Sequence, residues 1–335
     1  MRAAAVAGLL AASLAGGALA LRAHGNGIAI LHAAAPGQIV APAGTVARQS
    51  ATTAAPAASA APPGPMPPGP MPPGPPPGPA PPGPATRGQG TESLLVLHRP
   101  GSDTPRRVRM WRPAVPDSAA LPVVYLLHGV PGTPDDPFDE GLSQLMNAWV
   151  SEGGAPFVVA VPDGGGDGHD DTEWADAADG SDQVETFLLQ TVLPAVEGTH
   201  PRAAAQRAVA GFSMGGYGAV DISLRHPGTF SSVVSLAGYM HVDDPDGMFA
   251  GRPAVETAHE PASMVAAGTG MRFFLADADG EDEPVVQGET QAFARQLQAA
   301  HLPVQSEITS GDHSWHWAMS EWPHVQAWLG AVWAR

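Results

Sequence analysis

The chain has 335 residues with 33 acidic and 16 basic side chains, a net charge of −17. So acidic a balance lacks the basic face that nucleic-acid binding needs. The absence of cysteine removes thiol catalysis, thiolate metal sites and disulfides.

Arg2 precedes an apolar run over residues 3–21, and Ala18-Leu19-Ala20 supplies the small-x-small pattern of a signal-peptidase site. Residues 1–21 are therefore expected to export the chain, as a cleaved signal or as a retained anchor. Residues 22–90 are rich in alanine, proline and glycine, and a PPGPM repeat begins at Pro62. Glycine recurs there every fifth residue, not every third as collagen demands, so an extended polyproline spacer is expected. Such a spacer would hold the following domain away from a membrane or wall and allow association with the cell envelope.

Residues 91–335 read as one domain. Alternating stretches at 93–98 and 107–113 predict two early strands, and the continuous apolar run at 122–127 predicts a strand buried on both faces. Leu142, Leu145, Met146, Trp149 and Val150 share one helical face within 138–152. Further strands are expected at 157–161, 207–211, 232–237, 272–276 and 304–309. Helices are expected at 181–197, 217–226, 290–300 and 315–333. Strands alternating with helices give an α/β fold, a mostly parallel sheet covered on both faces.

The chemistry concentrates beyond the carboxyl ends of the strands, where open parallel sheets form their sites. Ser213 stands in Gly211-Phe212-Ser213-Met214-Gly215, between an apolar run and a helical one. A strand–turn–helix of this kind exposes the serine hydroxyl, and its tight turn leaves no room for a Cβ two residues to either side. The turn after 122–127, His128-Gly129-Val130, can aim the Val130 N–H at a developing oxyanion, with the Met214 N–H as second donor. His128 precedes the place a base requires and is expected to tie its loop down. Among thirteen histidines, His313 follows the last strand in a glycine-bearing loop, which suits a base for the serine. His316 and His324 are weaker candidates, and a metal pair of His313 with His316 lacks supporting ligands. The imidazole needs a carboxylate partner. Residues 277–283 offer five: Asp277, Asp279, Glu281, Asp282 and Glu283. The acidic stretch 163–182 lacks the spacing of a calcium loop and is expected to be a solvated loop at the cleft mouth. Residues 239–270 form either a cap or a plain connection.

The pieces LPVVYLLHGVPG, VVAVPDG, GFSMGGYGAV, RHPGTFSSVVSLAG and GDHSWHW occur in this order over nearly the whole domain. Together they resemble the putative-esterase branch of the α/β-hydrolases, which includes S-formylglutathione hydrolase (esterase D), feruloyl esterases and antigen 85 mycolyltransferases. The resemblance implies Ser213 as nucleophile, His313 as base, and Met214 and Val130 as oxyanion donors. It also implies Glu283 as the acid, in a G-x-x-D-P-like segment at 280–284, with Asp282 and Asp279 as alternates. Pro131 stands where antigen 85-like enzymes carry arginine, which favours hydrolysis over mycolyl transfer. The expectation is a secreted, cofactor-free serine esterase acting on small-molecule, lipid or sugar esters. An acyltransferase to envelope sugars and an inactive envelope-binding module are the alternatives.

Overall fold

The computed structural model describes residues 88–115 and 120–334. The export segment at 1–21 and the spacer up to residue 87 lie outside these residues. Among the described residues, no helix is long and apolar enough to cross a membrane. The first strand opens at Gly88, so residues 88–90, expected in the spacer, belong to the sheet.

Eight strands form one sheet: β1 (Gly88–His98), β2 (Pro105–Ala114), β3 (Val123–Leu127), β4 (Val158–Pro162), β5 (Arg207–Phe212), β6 (Ser232–Leu236), β7 (Arg272–Ala278) and β8 (Val304–Thr309). Their spatial order is β1-β2-β4-β3-β5-β6-β7-β8. Strands β1 and β2 pair antiparallel, as do β2 and β4, and all later pairs are parallel. Every residue of β3, β4 and β6 is buried, which explains the unbroken apolar runs of β3 and β4.

Successive side chains of a strand point to opposite faces, so β3 feeds two cores at once. Val123, Tyr125 and Leu127 join the core built with Val184, Phe187, Val220, Ile222, Phe293 and Leu297. Val124 and Leu126 join the other, with Phe138, Leu142, Met146, Trp317, Trp322 and Leu329. The first layer is built by α3 (Val184–Phe187), α4 (Leu193–Glu197), α5 (Met214–Arg225) and α7 (Glu289–Ala299). The second is built by α1 (Asp136–Asp139), α2 (Leu142–Ser151) and α8 (Trp315–Trp333). Helix α6 (Pro253–Ala258) lies in the segment between β6 and β7.

Three helices depart from the sequence reading. The helix expected at 138–152 is two, broken at Gly141, whose φ of 94° is open to glycine at little cost. The helix expected at 181–197 carries a π turn over Leu188–Val192 between α3 and α4. Pro194 has no N–H to return to the carbonyl four residues back, and the wider turn absorbs that missing bond. Helix α5 begins at Met214, three residues before its expected start, so Gly215 and Gly216 are helical.

Candidate active site

Ser213 links β5 to α5 with φ 57° and ψ −124°, a conformation that L-residues rarely adopt. Its N–H donates to the Leu236 carbonyl at 3.0 Å, which fastens the turn to β6. The flanking glycines are dictated by contact distances. A Cβ on Gly211 would lie 1.9 Å from the Gly215 carbonyl oxygen, and one on Gly215 would lie 2.2 Å from that of Leu127. Backbone fills both places. The strained turn pushes the serine side chain out beyond the strand end.

His313 lies on the connection from β8 to α8, directly before Ser314, which caps the helix by accepting the Trp317 N–H. The cap fixes where the connection ends and hence where the ring can reach. Nε2 of His313 lies 2.9 Å from Ser213 Oγ, and Nδ1 lies 2.7 Å from Glu281 Oε2. In the tautomer this geometry suits, Nδ1–H donates to the carboxylate and Nε2 accepts the serine proton. Phe212 supports the ring from one side at 4.8 Å between centroids, and Trp315 packs on Phe212 at 5.0 Å.

The carboxylate facing the imidazole is therefore Glu281, and the expectation of Glu283 is corrected. Asp282, Glu283 and Asp279 are all exposed. Asp279 turns to accept the Gly311 N–H at 3.1 Å, and Glu283 gives its backbone N–H to Glu281 Oε1 at 2.8 Å. The physical reason is a close approach of two connections. The Gly280 N–H donates to the Gly311 carbonyl at 3.0 Å, and a Cβ on Gly280 would sit 2.4 Å from that oxygen. That contact turns residue 281 inward, where its side chain is 5 % exposed. The paired glycines were the available signal, but their meeting is long-range.

Loop 128–132 lies against Ser213: a Cβ on Gly129 would come within 3.0 Å of the Ser213 Cβ. Val130 follows on this loop, and Met214 opens α5, whose first N–H groups have no partner within the helix. His128 is buried and ties the loop down. Its Nε2 accepts the Gly164 N–H at 2.9 Å, and Nδ1 contacts the Gly129 carbonyl at 2.8 Å. Burial pushes its pKa below the usual imidazole range and keeps it neutral. The Trp174 indole N–H donates to the His128 carbonyl at 2.9 Å, bracing the loop from behind.

The acidic stretch 163–182 is only in part the solvated loop expected: Asp167, Asp170 and Asp179 are exposed, but Glu173 and Asp182 are buried. Asp182 is buried and meets Arg99 at 2.7 Å and His169 at 2.8 Å. Desolvation opposes its charge, but the Asp167 and Gly168 N–H groups, His169 and Arg99 win and hold its pKa well below the carboxylate range. Glu173 is wholly buried at φ 52° and accepts the Tyr239 hydroxyl at 2.6 Å. Burial, then the charge of Asp171, pushes its pKa far up, so it stays a neutral acid. Segment 239–270 covers this loop: Met248 and Phe249 pack with Ala175 and Ala177, and the Met248 carbonyl accepts the Ala178 N–H at 2.7 Å.

His316 is exposed and faces Glu140 at 3.3 Å. Glu185, Asp221 and His259 converge as metal ligands could, but the Arg225 guanidinium already lies among them, 2.8 Å from Glu185. Glu307, Glu321 and His324 form a second such group on the outer side of α8 and β8.

Comparison with known proteins bears on the family and the fold. A family model described as "Putative esterase" matches residues 101–324. The Mycobacterium tuberculosis protein "Esterase Rv1288" is 35% identical over 142 residues, covering 38% of this chain and 29% of its own length. The chain thus spans less than a third of that curated relative. Among solved structures, a ferulic acid esterase matches with a TM-score of 0.63 at 22% identity, over 73% of this chain and 98% of its own. S-formylglutathione hydrolase FrmB from Staphylococcus aureus matches at 0.60 and 17%, over 72% and 100%. Mycobacterium tuberculosis MPT51 matches at 0.56 and 20%, over 72% and 98%. At these identities the structural likenesses establish the α/β-hydrolase fold.

Proposed function

The chain belongs to the putative-esterase family of serine hydrolases, and from that premise we propose that it cleaves carboxylic esters through an acyl-enzyme on Ser213. One observation carries the reading: Ser213 Oγ, the His313 ring and the Glu281 carboxylate form an unbroken chain of contacts at 2.9 and 2.7 Å. His313 Nε2 takes the serine proton as Oγ attacks the ester carbonyl. The N–H groups of Met214 and Val130 receive the oxyanion, and Glu281 stabilises the imidazolium. Collapse expels the alcohol, which takes its proton from Nε2. A water deprotonated by the same nitrogen then releases the acid and restores the serine.

Ser213→Ala is expected to abolish p-nitrophenyl acetate turnover and fluorophosphonate labelling while circular dichroism stays unchanged. Turnover surviving in that variant would overturn the assignment. Adding a sugar acceptor and analysing products separates hydrolysis, which yields free acid alone, from transfer, which yields a sugar ester. We place the enzyme outside the cytoplasm on the strength of residues 1–21. Mass spectrometry of the exported protein should find a mature N-terminus after Ala20; an intact cytoplasmic chain would contradict export.

A further inference from the structure

Loop 128–132 and helix α5, which carry the two proposed oxyanion donors, are both touched by one buried side chain to which the proposed cycle gives no part. Thr172, Glu173 and Trp174 are wholly buried, and Glu173 and Trp174 stand at φ 52° and 55°, successive non-glycine residues in the left-handed region. Such a turn persists only where its surroundings hold it. Here the Thr172 hydroxyl donates to the Gly164 carbonyl at 2.7 Å, and Glu173 accepts the Tyr239 hydroxyl at 2.6 Å. The Tyr239 ring in turn stacks on Tyr217 of α5 at 4.8 Å. The turn delivers the Trp174 indole into a slot between backbones. A Cβ on Gly164 would lie 2.4 Å from its ring, and one on Gly218 of α5 would lie 2.5 Å from its Cβ. Its N–H donates to the His128 carbonyl at 2.9 Å, and its ring meets the His128 ring edge-on at 5.2 Å.

The His128 carbonyl is the joint between these parts. On one side it lies over the first turn of α5, where a Cβ on Gly215 would come within 2.7 Å of its oxygen. On the other it takes the Trp174 N–H. The ring of His128 fixes the next peptide. Its Nε2 accepts the Gly164 N–H, which leaves the proton of the neutral ring on Nδ1, and Nδ1–H donates to the Gly129 carbonyl at 2.8 Å. Across a trans peptide the carbonyl and the N–H point in opposite directions. A Gly129 carbonyl turned to the ring therefore leaves the Val130 N–H turned away from it. We propose that Trp174 is a positioning residue for the oxyanion hole: its N–H and its packing on Gly218 hold the 128–130 backbone at a fixed distance from the start of α5, so that the Val130 and Met214 N–H groups converge on one oxygen. The two donors follow different strands, β3 and β5, and the indole that bridges their segments keeps the spacing. Its contribution falls on the transition state more than on bound substrate, because the oxygen gains its charge only as Ser213 attacks.

The inference rests on the proposed attack by Ser213, and the test separates the two. The full chain is compared as wild type, as Trp174→Phe, and with Trp174 replaced by 3-benzothienylalanine, which keeps the shape of the indole and exchanges its N–H for sulfur. Fluorophosphonate titration counts active sites, and thermal unfolding confirms folding. The readouts are kcat and KM for a p-nitrophenyl ester and the inhibition constant of a trifluoromethyl ketone, whose adduct with the serine places an oxyanion in the hole. Loss of the N–H should lower kcat roughly 10- to 100-fold with KM within about twofold, a smaller loss than the roughly 10²–10³ for deleting a donor outright. The ketone should weaken by about the same factor as kcat/KM, since both depend on the oxyanion. A side chain that only stabilised the fold would lower the melting temperature or the number of active sites and leave both constants per site unchanged. Wild-type kcat and ketone affinity in either folded variant would overturn the proposal, and the isosteric replacement decides if Trp174→Phe does not fold. A fall in kcat with no fall in ketone affinity would overturn it too. Turnover surviving in Ser213→Ala would instead remove the reading beneath it.

Discussion

Glu281 is held on both oxygens, by the His313 ring on one and the Glu283 N–H on the other. Glu281→Gln keeps the shape but removes the charge that stabilises the imidazolium, so kcat should fall by about 10²–10⁴, which steady-state kinetics would measure. Glu283→Gln and Asp282→Asn leave the backbone donor intact and should stay within about twofold. A reversed ranking would restore Glu283 as the partner. The places of Ser213 and His313 were legible because local rules confine them: glycines around a strained turn, and a loop after the last strand. The carboxylate was not, because five acids share seven positions and a contact with a distant glycine selects among them. Asp277 adds a stability effect. Its carboxyl holds a proton up to about 7 in the fold, whereas in the unfolded chain it releases it near 3.9. Between those values the native state binds the extra proton, so stability falls as pH rises. Urea titrations at pH 5 and 8 should show that decline in the wild type and a smaller one in Asp277→Asn.

Among the elements, β8 and α8 match the sequence reading residue for residue. A short alternating run and a long amphipathic one leave little choice of period. The less legible places are those where backbone contacts act across the chain. Gly215 and Gly216 read as a turn, yet they are helical because α5 starts directly after Ser213 and packs its first turn on β3 and β6. The break at Gly141 and the π turn before Pro194 likewise follow from backbone demands within apparently continuous helical patterns. Gly280 is the element-scale counterpart of the corrected acid. In Gly280→Ala the added methyl must move 2.4 Å from the Gly311 carbonyl oxygen to an ordinary contact distance, parting the connections that carry Glu281 and His313. A misplacement on the order of 1 Å at reacting groups costs roughly 100-fold in rate. Fluorophosphonate labelling of this variant should slow accordingly, while its melting temperature moves little because the site is on the surface. Labelling at the wild-type rate would show that the two connections tolerate separation.

The whole molecule divides its sheet between two rims. Ser213, His313 and Glu281 gather past the carboxyl ends of β5, β8 and β7, where strand ends and helix starts leave polar backbone groups free for chemistry. The opposite rim is closed by a buried charge cluster around Glu197 at the end of α4. Arg207, which opens β5, meets Glu197 with two nitrogens at 2.6 and 2.8 Å. The Tyr125 hydroxyl of β3 donates at 3.0 Å and the Arg202 N–H at 2.7 Å. Burial opposes the Glu197 charge, but these donors outweigh it and lower its pKa. Removing the carboxylate would strand a partly buried guanidinium and a buried hydroxyl at once. Glu197→Ala should therefore cost about 3–5 kcal/mol of stability in urea unfolding. Because the cluster touches none of the residues that handle the ester, kcat and labelling rate should stay at wild-type values wherever the variant is folded. A variant that kept its stability would show that the arginine and tyrosine find water or other partners, and that the lower rim is not what locks β3 to β5. A variant that lost activity while folded would show that strain at one rim reaches the other through the central strands.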